Sequence, residues 1–339
     1  MSAITDFIDP LHKAPDESGQ FYRNLKFNTA MSDSQLLADQ ILDPRMGTQR
    51  DWKWRGWSIR YTFHAPPQPT LAAESLLLIH GFGSSLAQWY QNIEALGQHR
   101  VVYAIDLLGF GASEKGAIAY NSELWVAQIY EFWRQFIGEP IVLIGHSLGA
   151  LMSAAAAVEH PDMVQRLILM TVPNTRQDMV HARWMQSMVS SLERIFASPL
   201  LVRLIFHVAR QPKFIRKALM SIYIQRDRVT QEVVSHFVNP TLDRGAAQTL
   251  CRLTQSATQS DYSPSRETLL ERLKQPTLVL WGQKDNVVPL NSCESTIAAN
   301  PNLKLVTIPD GGHCMYDECA LDINKAILNW LQEDSISKS

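Results

Sequence analysis

The run Ile141-Val142-Leu143-Ile144-Gly145-His146-Ser147-Leu148-Gly149-Ala150 decides how the rest of the chain is read. Its first four residues, apolar and mostly β-branched, predict a short buried strand. They lead straight into Gly-x-Ser-x-Gly, after which Met152 and the alanines at 154–157 begin a helix of small residues. A serine on a strand-to-helix turn must take a strained backbone, because the chain reverses direction there. Glycines at 145 and 149 have no Cβ to collide, so the Ser147 hydroxyl stands clear at the strand tip. The helix beginning beside it aims backbone N–H groups and partial positive charge at the same point, where a negatively charged intermediate would sit. Gly-x-Ser-x-Gly alone is a weak pattern. With a buried strand before it and an alanine-rich helix after it, the pattern reads as a nucleophile elbow.

A chain of 339 residues holds one large α/β domain with an insertion, or two domains. Hydrophobic residues make up 46% and charged residues 19%, enough for a sizeable core. The formal net charge is −2, which gives no reason to expect nucleic acid as a partner. Cys251, Cys293, Cys314 and Cys319 lack CxxC spacing, so no metal site is expected and thiols rather than disulfides are. Asp6, Asp9 and Pro10 interrupt any basic-then-apolar leader in the first thirty residues. No apolar run approaches the roughly 18–20 residues of a membrane span. A cytoplasmic, reducing setting is the expectation.

Outward from the elbow, strands and helices alternate. Residues 1–50 are polar, carry Pro10, Pro15 and Pro44, and read as an N-terminal arm with one helical stretch at 34–42. Trp52, Trp54, Trp57, Ile59, Tyr61 and Phe63 alternate around Gly56, the pattern of an antiparallel hairpin. Leu76-Leu77-Leu78-Ile79 is a continuous apolar run, as expected for a strand covered on both faces. It ends at His80-Gly81-Phe82-Gly83, and a helix bearing Trp89, Ile93 and Leu96 is predicted next. A strand at 100–105 runs into Asp106 and Gly109-Phe110-Gly111-Ala112-Ser113. Asn121 or Ser122 caps a helix lined by Trp125, Ile129, Phe132, Trp133 and Phe136 and stopped by Gly138 and Pro140. After the elbow helix a strand is predicted at 167–172. Further strands follow at 276–281 and 303–308, and a last helix at 322–331. This alternation predicts an α/β fold with a mostly parallel sheet flanked by helices. Residues 51–173 and 276–339 form that core. Between them, residues 174–275 show helical periodicity without a clear strand and read as a helical cap.

In an open parallel sheet, ligands bind at the carboxyl ends of the strands. Ser147 follows one strand, Asp285 follows the strand ending at Trp281, and His313 follows the last strand. Serine, then acid, then histidine is the order of a triad built on such a sheet. A serine hydroxyl is a poor nucleophile at neutral pH, so an imidazole must take its proton. A carboxylate then fixes the imidazole tautomer and stabilises its cation. The backbone N–H groups of Phe82 and Leu148 are assigned as the oxyanion hole. His146, Trp89, Trp184 and Met188 are candidate pocket residues. Asp310 and Asp317 are rival acids near His313, but they share its segment. Cys314 has no elbow and reads as a bystander, His80 as loop support, and Asp106 with Ser113 as organisers of a glycine-rich turn.

Taken together, His80-Gly81-Phe82-Gly83, Asp106 to Ser113, Gly145-His146-Ser147-Leu148-Gly149, Trp281-Gly282-Gln283-Lys284-Asp285 and Gly312-His313 resemble the α/β-hydrolase superfamily. The likeness is to its capped serine-hydrolase, esterase/lipase-like branch, which implies a cap between strands six and seven. Haloalkane dehalogenases and most epoxide hydrolases of that branch carry aspartate where this chain has Ser147. The resemblance therefore implies a serine hydrolase that cleaves a carboxylic ester through an acyl-enzyme, with no cofactor. It leaves open a hydrolase of phytyl esters of chlorophyll derivatives, a C–C bond hydrolase and a cofactor-free haloperoxidase. From another class it leaves open a small-molecule receptor with little turnover.

The cap carries many large flexible apolar residues, among them Met179, Trp184, Met185, Met188, Phe196 and Phe214, which suits an apolar substrate. Residues 176–228 hold ten Lys/Arg against three Asp/Glu. That surplus suggests weak peripheral contact with an anionic membrane surface.

Overall fold

The computed structural model of the chain describes residues 44–66, 73–175, 199–257, 259 and 261–336. The helix predicted at 34–42 and the cap residues Met179, Trp184, Met185, Met188 and Phe196 lie outside them. Eight strands form one sheet: β1 (Thr48–Trp54), β2 (Trp57–His64), β3 (Leu76–Ile79), β4 (Val102–Ile105), β5 (Ile141–His146), β6 (Val164–Met170), β7 (Thr277–Gly282) and β8 (Leu303–Ile308). Their order is β1-β2-β4-β3-β5-β6-β7-β8. The β1–β2 and β2–β4 pairs are antiparallel and every other pair is parallel.

The apolar runs are continuous because both faces of the sheet are covered. On one face Leu77, Ile79, Leu143, Leu167, Leu169, Val279 and Trp281 share a cluster with helices α2 (Ser122–Phe136) and α3 (Leu148–Glu159). On the other, Leu76, Leu78, Val142, Ile144, Ile168 and Leu280 pack with Trp89 and with Ile323, Ile327 and Trp330 of the C-terminal helix. Alternate residues of one strand thus enter two cores.

Local chemistry sets the boundaries. Arg55 and Gly56, at φ of 50° and 88°, make the two-residue turn of the β1–β2 hairpin, both in the left-handed region that a type I′ turn requires. Residues 48–50, read as part of the arm, belong to β1. The side chain of Asn121 accepts the Leu124 N–H at 3.0 Å and starts α2. The helix predicted around Trp89 is instead a 3₁₀ turn (Leu86–Trp89) followed by the short α1 (Ile93–Leu96).

Among the described residues five α-helices lie between β6 and β7, the first four being α4 (Pro199–Ala209), α5 (Pro212–Ile222), α6 (Gln231–Val238) and α7 (Ala246–Ala257). Among the described residues of this block there is no strand. Next comes α8 (Arg266–Arg272), read from the sequence as cap. It packs on α3 and buries Leu269 and Leu270 in the sheet core, so it is the crossover helix that returns the chain to β7. The chain then forms α9 (Glu294–Ala299), α10 (Met315–Glu318) and α11 (Ala320–Ile336).

Candidate active site

Ser147 sits between β5 and α3 with φ 52° and ψ −118°. A non-glycine residue in that region stores on the order of 1–3 kcal/mol. The turn around it is fixed: the Ser147 N–H donates to the Met170 carbonyl at 2.9 Å. The flanking glycines are dictated by close approach. A Cβ on Gly145 would lie 2.3 Å from the Gly149 carbonyl oxygen, and one on Gly149 would lie 2.3 Å from that of Ile79. Removing two methyls lets the first turn of α3 press against β5 and β3 and leaves Leu148 N–H in the helix's unsatisfied first turn.

The loop after β3 is held by His80. Its Nε2 accepts the Leu107 N–H at 3.0 Å, so Nδ1 carries the proton and donates to the Gly81 carbonyl at 2.7 Å. Burial pulls the His80 pKa down to about 4, which keeps the ring neutral. The Gly81 N–H donates to Gln88 Oε1 at 3.1 Å. A Cβ on Gly81 would meet His146 Nδ1 at 2.8 Å and Ser147 Cβ at 3.4 Å, which brings the Phe82 peptide beside the serine. The Phe82 side chain is half exposed and stands edge-on to Phe110, ring centres 5.5 Å apart.

Asp285 and His313 meet at the ends of β7 and β8. Asp285 Oδ1 accepts the N–H groups of Val287 and Val288 at 2.8 and 2.9 Å, and Oδ2 accepts from His313 Nδ1 at 3.0 Å. Burial opposes ionisation of this carboxyl. The His313 hydrogen bond and charge, with the two backbone donors, outweigh it and hold the pKa below the usual value. An ionised carboxylate only accepts, so His313 keeps its proton on Nδ1 and offers the Nε2 lone pair. His146 Nε2 donates to the His313 carbonyl at 2.9 Å. Burial, and next the neighbouring His313, pull the His146 pKa down to about 3. Ser147 and His313 share no hydrogen bond among the described residues; His146 is what ties their segments together.

The rival groups are engaged elsewhere. Asp310 is exposed and pairs with Lys284 at 2.7 Å. Asp317 is buried and accepts from Tyr90 and Tyr223 hydroxyls at 3.0 and 2.9 Å. Burial pushes the Cys314 thiol far up, and all four cysteines are buried thiols outside any disulfide. Asp106 Oδ1 and Oδ2 accept from Leu86 and Ala112 N–H groups, the turn-organising part read from the sequence.

The candidate pocket residues fare differently. His146 underlies the site. Trp89 does not line it: the ring exposes 0% of its surface and packs against Tyr316, because it fills the core beneath the loop. Trp184 and Met188 lie outside the described residues. A cavity of about 90 Å³ instead opens beside Phe82 and Phe110, walled by Phe206, Phe237, Leu250 and Leu253. These wall residues went unread because helical spacing does not say which face meets the loop. Among the described residues, no group of three His, Cys, Asp or Glu side chains is placed to hold a metal.

Comparison with known proteins bears on this geometry. The (lyso)-N-acylphosphatidylethanolamine lipase of Homo sapiens is 37% identical over 99 residues, spanning 28% of this chain and 29% of that protein. The match thus covers less than a third of that relative. A 1-acylglycerol-3-phosphate O-acyltransferase of Arabidopsis thaliana is 25% identical over 280 residues, 76% of this chain and 66% of that one. The solved meta-cleavage product hydrolase of Pseudomonas fluorescens IP01 has a TM-score of 0.67 at 20% identity, covering 86% of this chain and 100% of its own. At that identity the likeness speaks for the fold alone. Residues 74–319 match the alpha/beta hydrolase fold family. The matched span contains β3 through α10 with Ser147, Asp285 and His313 inside it, and the chain belongs to the α/β-hydrolase fold family.

Proposed function

We propose that the protein is a serine hydrolase that cleaves carboxylic esters bearing an apolar acyl or alcohol group. The observation that carries the reading is Ser147 held at positive φ on its elbow beside a buried Asp285–His313 pair. In this reading Ser147 Oγ attacks the ester carbonyl carbon while His313 Nε2 takes its proton, and Asp285 stabilises the imidazolium. The developing oxyanion is received by the N–H groups of Phe82 and Leu148, each donor worth about 3–4 kcal/mol where such donors have been removed. The alcohol leaves with the proton from Nε2. Water, deprotonated by the same nitrogen, then releases the acid from Ser147.

The apolar preference is supported by the cavity beside Phe82, whose lining is mostly aromatic and aliphatic, with Ser84, Lys115, Thr241 and Thr249 as its polar members. Each further methylene buried there contributes about 0.8 kcal/mol, several-fold in kcat/KM per carbon until the space is full. Two measurements test the reading. Ser147→Ala should lose labelling by a fluorophosphonate probe and lower kcat by several orders of magnitude while keeping its fold. A p-nitrophenyl ester series should rise in kcat/KM beyond acetyl. Retained labelling would remove Ser147 from the role, and a maximum at acetyl would remove the apolar pocket.

A further inference from the structure

Glu318, at the end of α10, is 2% exposed and lies five residues past His313. Its Oε2 accepts the N–H of Gly312, the residue before His313, at 3.1 Å. Its Oε1 accepts the N–H groups of Ile224 and Gln225, at 2.5 and 2.9 Å. Those two peptides belong to the cap, in the link that follows α5. They lie outside any helix, so the carboxylate satisfies donors that have no ladder of their own. The contact is tight: a Cβ on Gly312 would lie 2.7 Å from Ile224 Cγ1 and equally close to Glu318 Oε2.

The same cap turn also reaches the acid. Asn286, next to Asp285, donates from Nδ2 to the Ser221 carbonyl of α5 at 3.0 Å. One short stretch of cap, Ser221 to Gln225, is therefore bonded beside both members of the Asp285–His313 pair. The carboxylate of neighbouring Asp317 holds Tyr223 of that stretch and Tyr90 and Gln91 of the core, yet accepts nothing from the histidine loop.

We propose that Glu318 is a positioning residue that couples the cap to the His313 loop, so that a seated cap aligns the base with Ser147. The proposal rests on the reading of His313 as that base. Through one carboxylate, displacement of Ile224 and Gln225 is passed to Gly312 and to the imidazole that follows it. Glu318 touches neither the serine nor the apolar cavity, so loosening it costs alignment and leaves substrate binding alone.

The test uses the full chain and p-nitrophenyl butyrate. Glu318→Gln keeps one acceptor oxygen but turns an NH₂ toward an N–H donor, and should lower kcat ten-fold or more with KM changed less than two-fold. Gln225→Pro removes a cap donor where φ is −87°, close to proline's usual range, together with the Gln225 Nε2 contact to Cys319 Sγ, and should lower kcat several-fold. In the double variant the two losses should be far from additive, because both break one link. Asp317→Asn should lower Tm while kcat stays within two-fold. His313→Ala separates the two layers of the argument. If it retains full turnover, the reading of the base falls. If it is inactive while Gln225→Pro keeps full kcat, the coupling to the cap falls alone. Should Glu318→Gln fail to fold, Gln225→Pro decides; should Glu318→Gln raise KM as much as it lowers kcat, the positioning role is overturned.

Discussion

The acid at position 285 is distinguished from its rivals by what each carboxylate accepts. Asp285 takes two peptide N–H groups on one oxygen and the His313 ring on the other, which fixes both its charge and its direction. Asp285→Asn would place an NH₂ or a neutral oxygen against His313 Nδ1 and favour the wrong tautomer. We expect kcat to fall by about three to four orders of magnitude. Asp310→Asn removes only an exposed ion pair with Lys284, and such pairs contribute little, so activity should stay within two-fold. Steady-state kinetics on the two purified variants checks this, and a crippled Asp310→Asn would move the assignment. Asp285 was legible in the sequence because a strand end announces it. Glu318 was not: its partners Ile224 and Gln225 are nearly a hundred residues away, and no local pattern marks a carboxylate that serves distant peptides.

At the scale of elements, strand β5 and helix α3 were readable because a buried parallel strand must be apolar throughout and the elbow must have its glycines. Strand β6 was read three residues late. Its start, Val164-Gln165-Arg166, looks like loop, yet Arg166 is buried and pairs with Glu74 at 2.7 Å and with the Leu331 carbonyl at 3.0 Å. Both partners come from other parts of the chain, so the burial cannot be seen locally. The same holds for α8, whose apolar stripe says that it packs but not on what. The glycines allow a graded test. Gly149→Ala would set a methyl against two backbone carbonyls, at 2.3 and 2.5 Å, and neither is free to move. It should cost about 1–3 kcal/mol of stability and most of the activity, since Ser147 moves with α3. Gly83→Ala meets nothing within 4 Å, though its φ is +71°, so its cost should be about 1 kcal/mol with activity largely kept. Denaturant melts and turnover of the pair check the ranking.

Across the whole molecule, two neutral buried histidines link stability to pH. His80 falls from an ordinary 6.5 to about 4 and His146 to about 3, so below pH 6.5 the unfolded chain binds protons that the folded one refuses. Their contribution is complete above pH 6.5 and is lost as pH falls towards the folded values, at up to about 1.4 kcal/mol per pH unit for each ring. Asp106 acts oppositely: raised from 3.8 to about 6 by burial, it holds a proton when folded that the unfolded chain releases in that window. Asp317 and Glu318, also raised by burial, act with Asp106, so the histidine share is read by difference. Between pH 7 and pH 5 the wild-type Tm should lose more, or gain less, than that of His80→Gln, which keeps a donor and an acceptor; an identical pH dependence would mean that His80 does not carry the linkage. The surface of the helical block between β6 and β7 permits a second molecular-scale test. Leu204 and Ile205 of α4 are 64% and 47% exposed, and Phe214 of α5, 41% exposed, carries Lys213 against its ring. We propose that this face makes weak contact with anionic membrane surfaces. Co-sedimentation with phosphatidylserine vesicles should appear at low salt and vanish as salt rises, and its absence at low salt would end that proposal.

The chain leaves the sheet at β6 and returns at β7, and these strands lie side by side, with Leu167 opposite Thr277 and Met170 opposite Leu280. The ladder is therefore indifferent to how long or how elaborate the excursion between them is. Over evolutionary time the excursion can be lengthened, shortened or exchanged by recombination at two seams while the elbow is inherited intact. On the proposed role of Glu318, a graft of that kind would carry one hidden condition: the incoming segment must again offer backbone donors to residue 318, or the loop before His313 loses its tie to it.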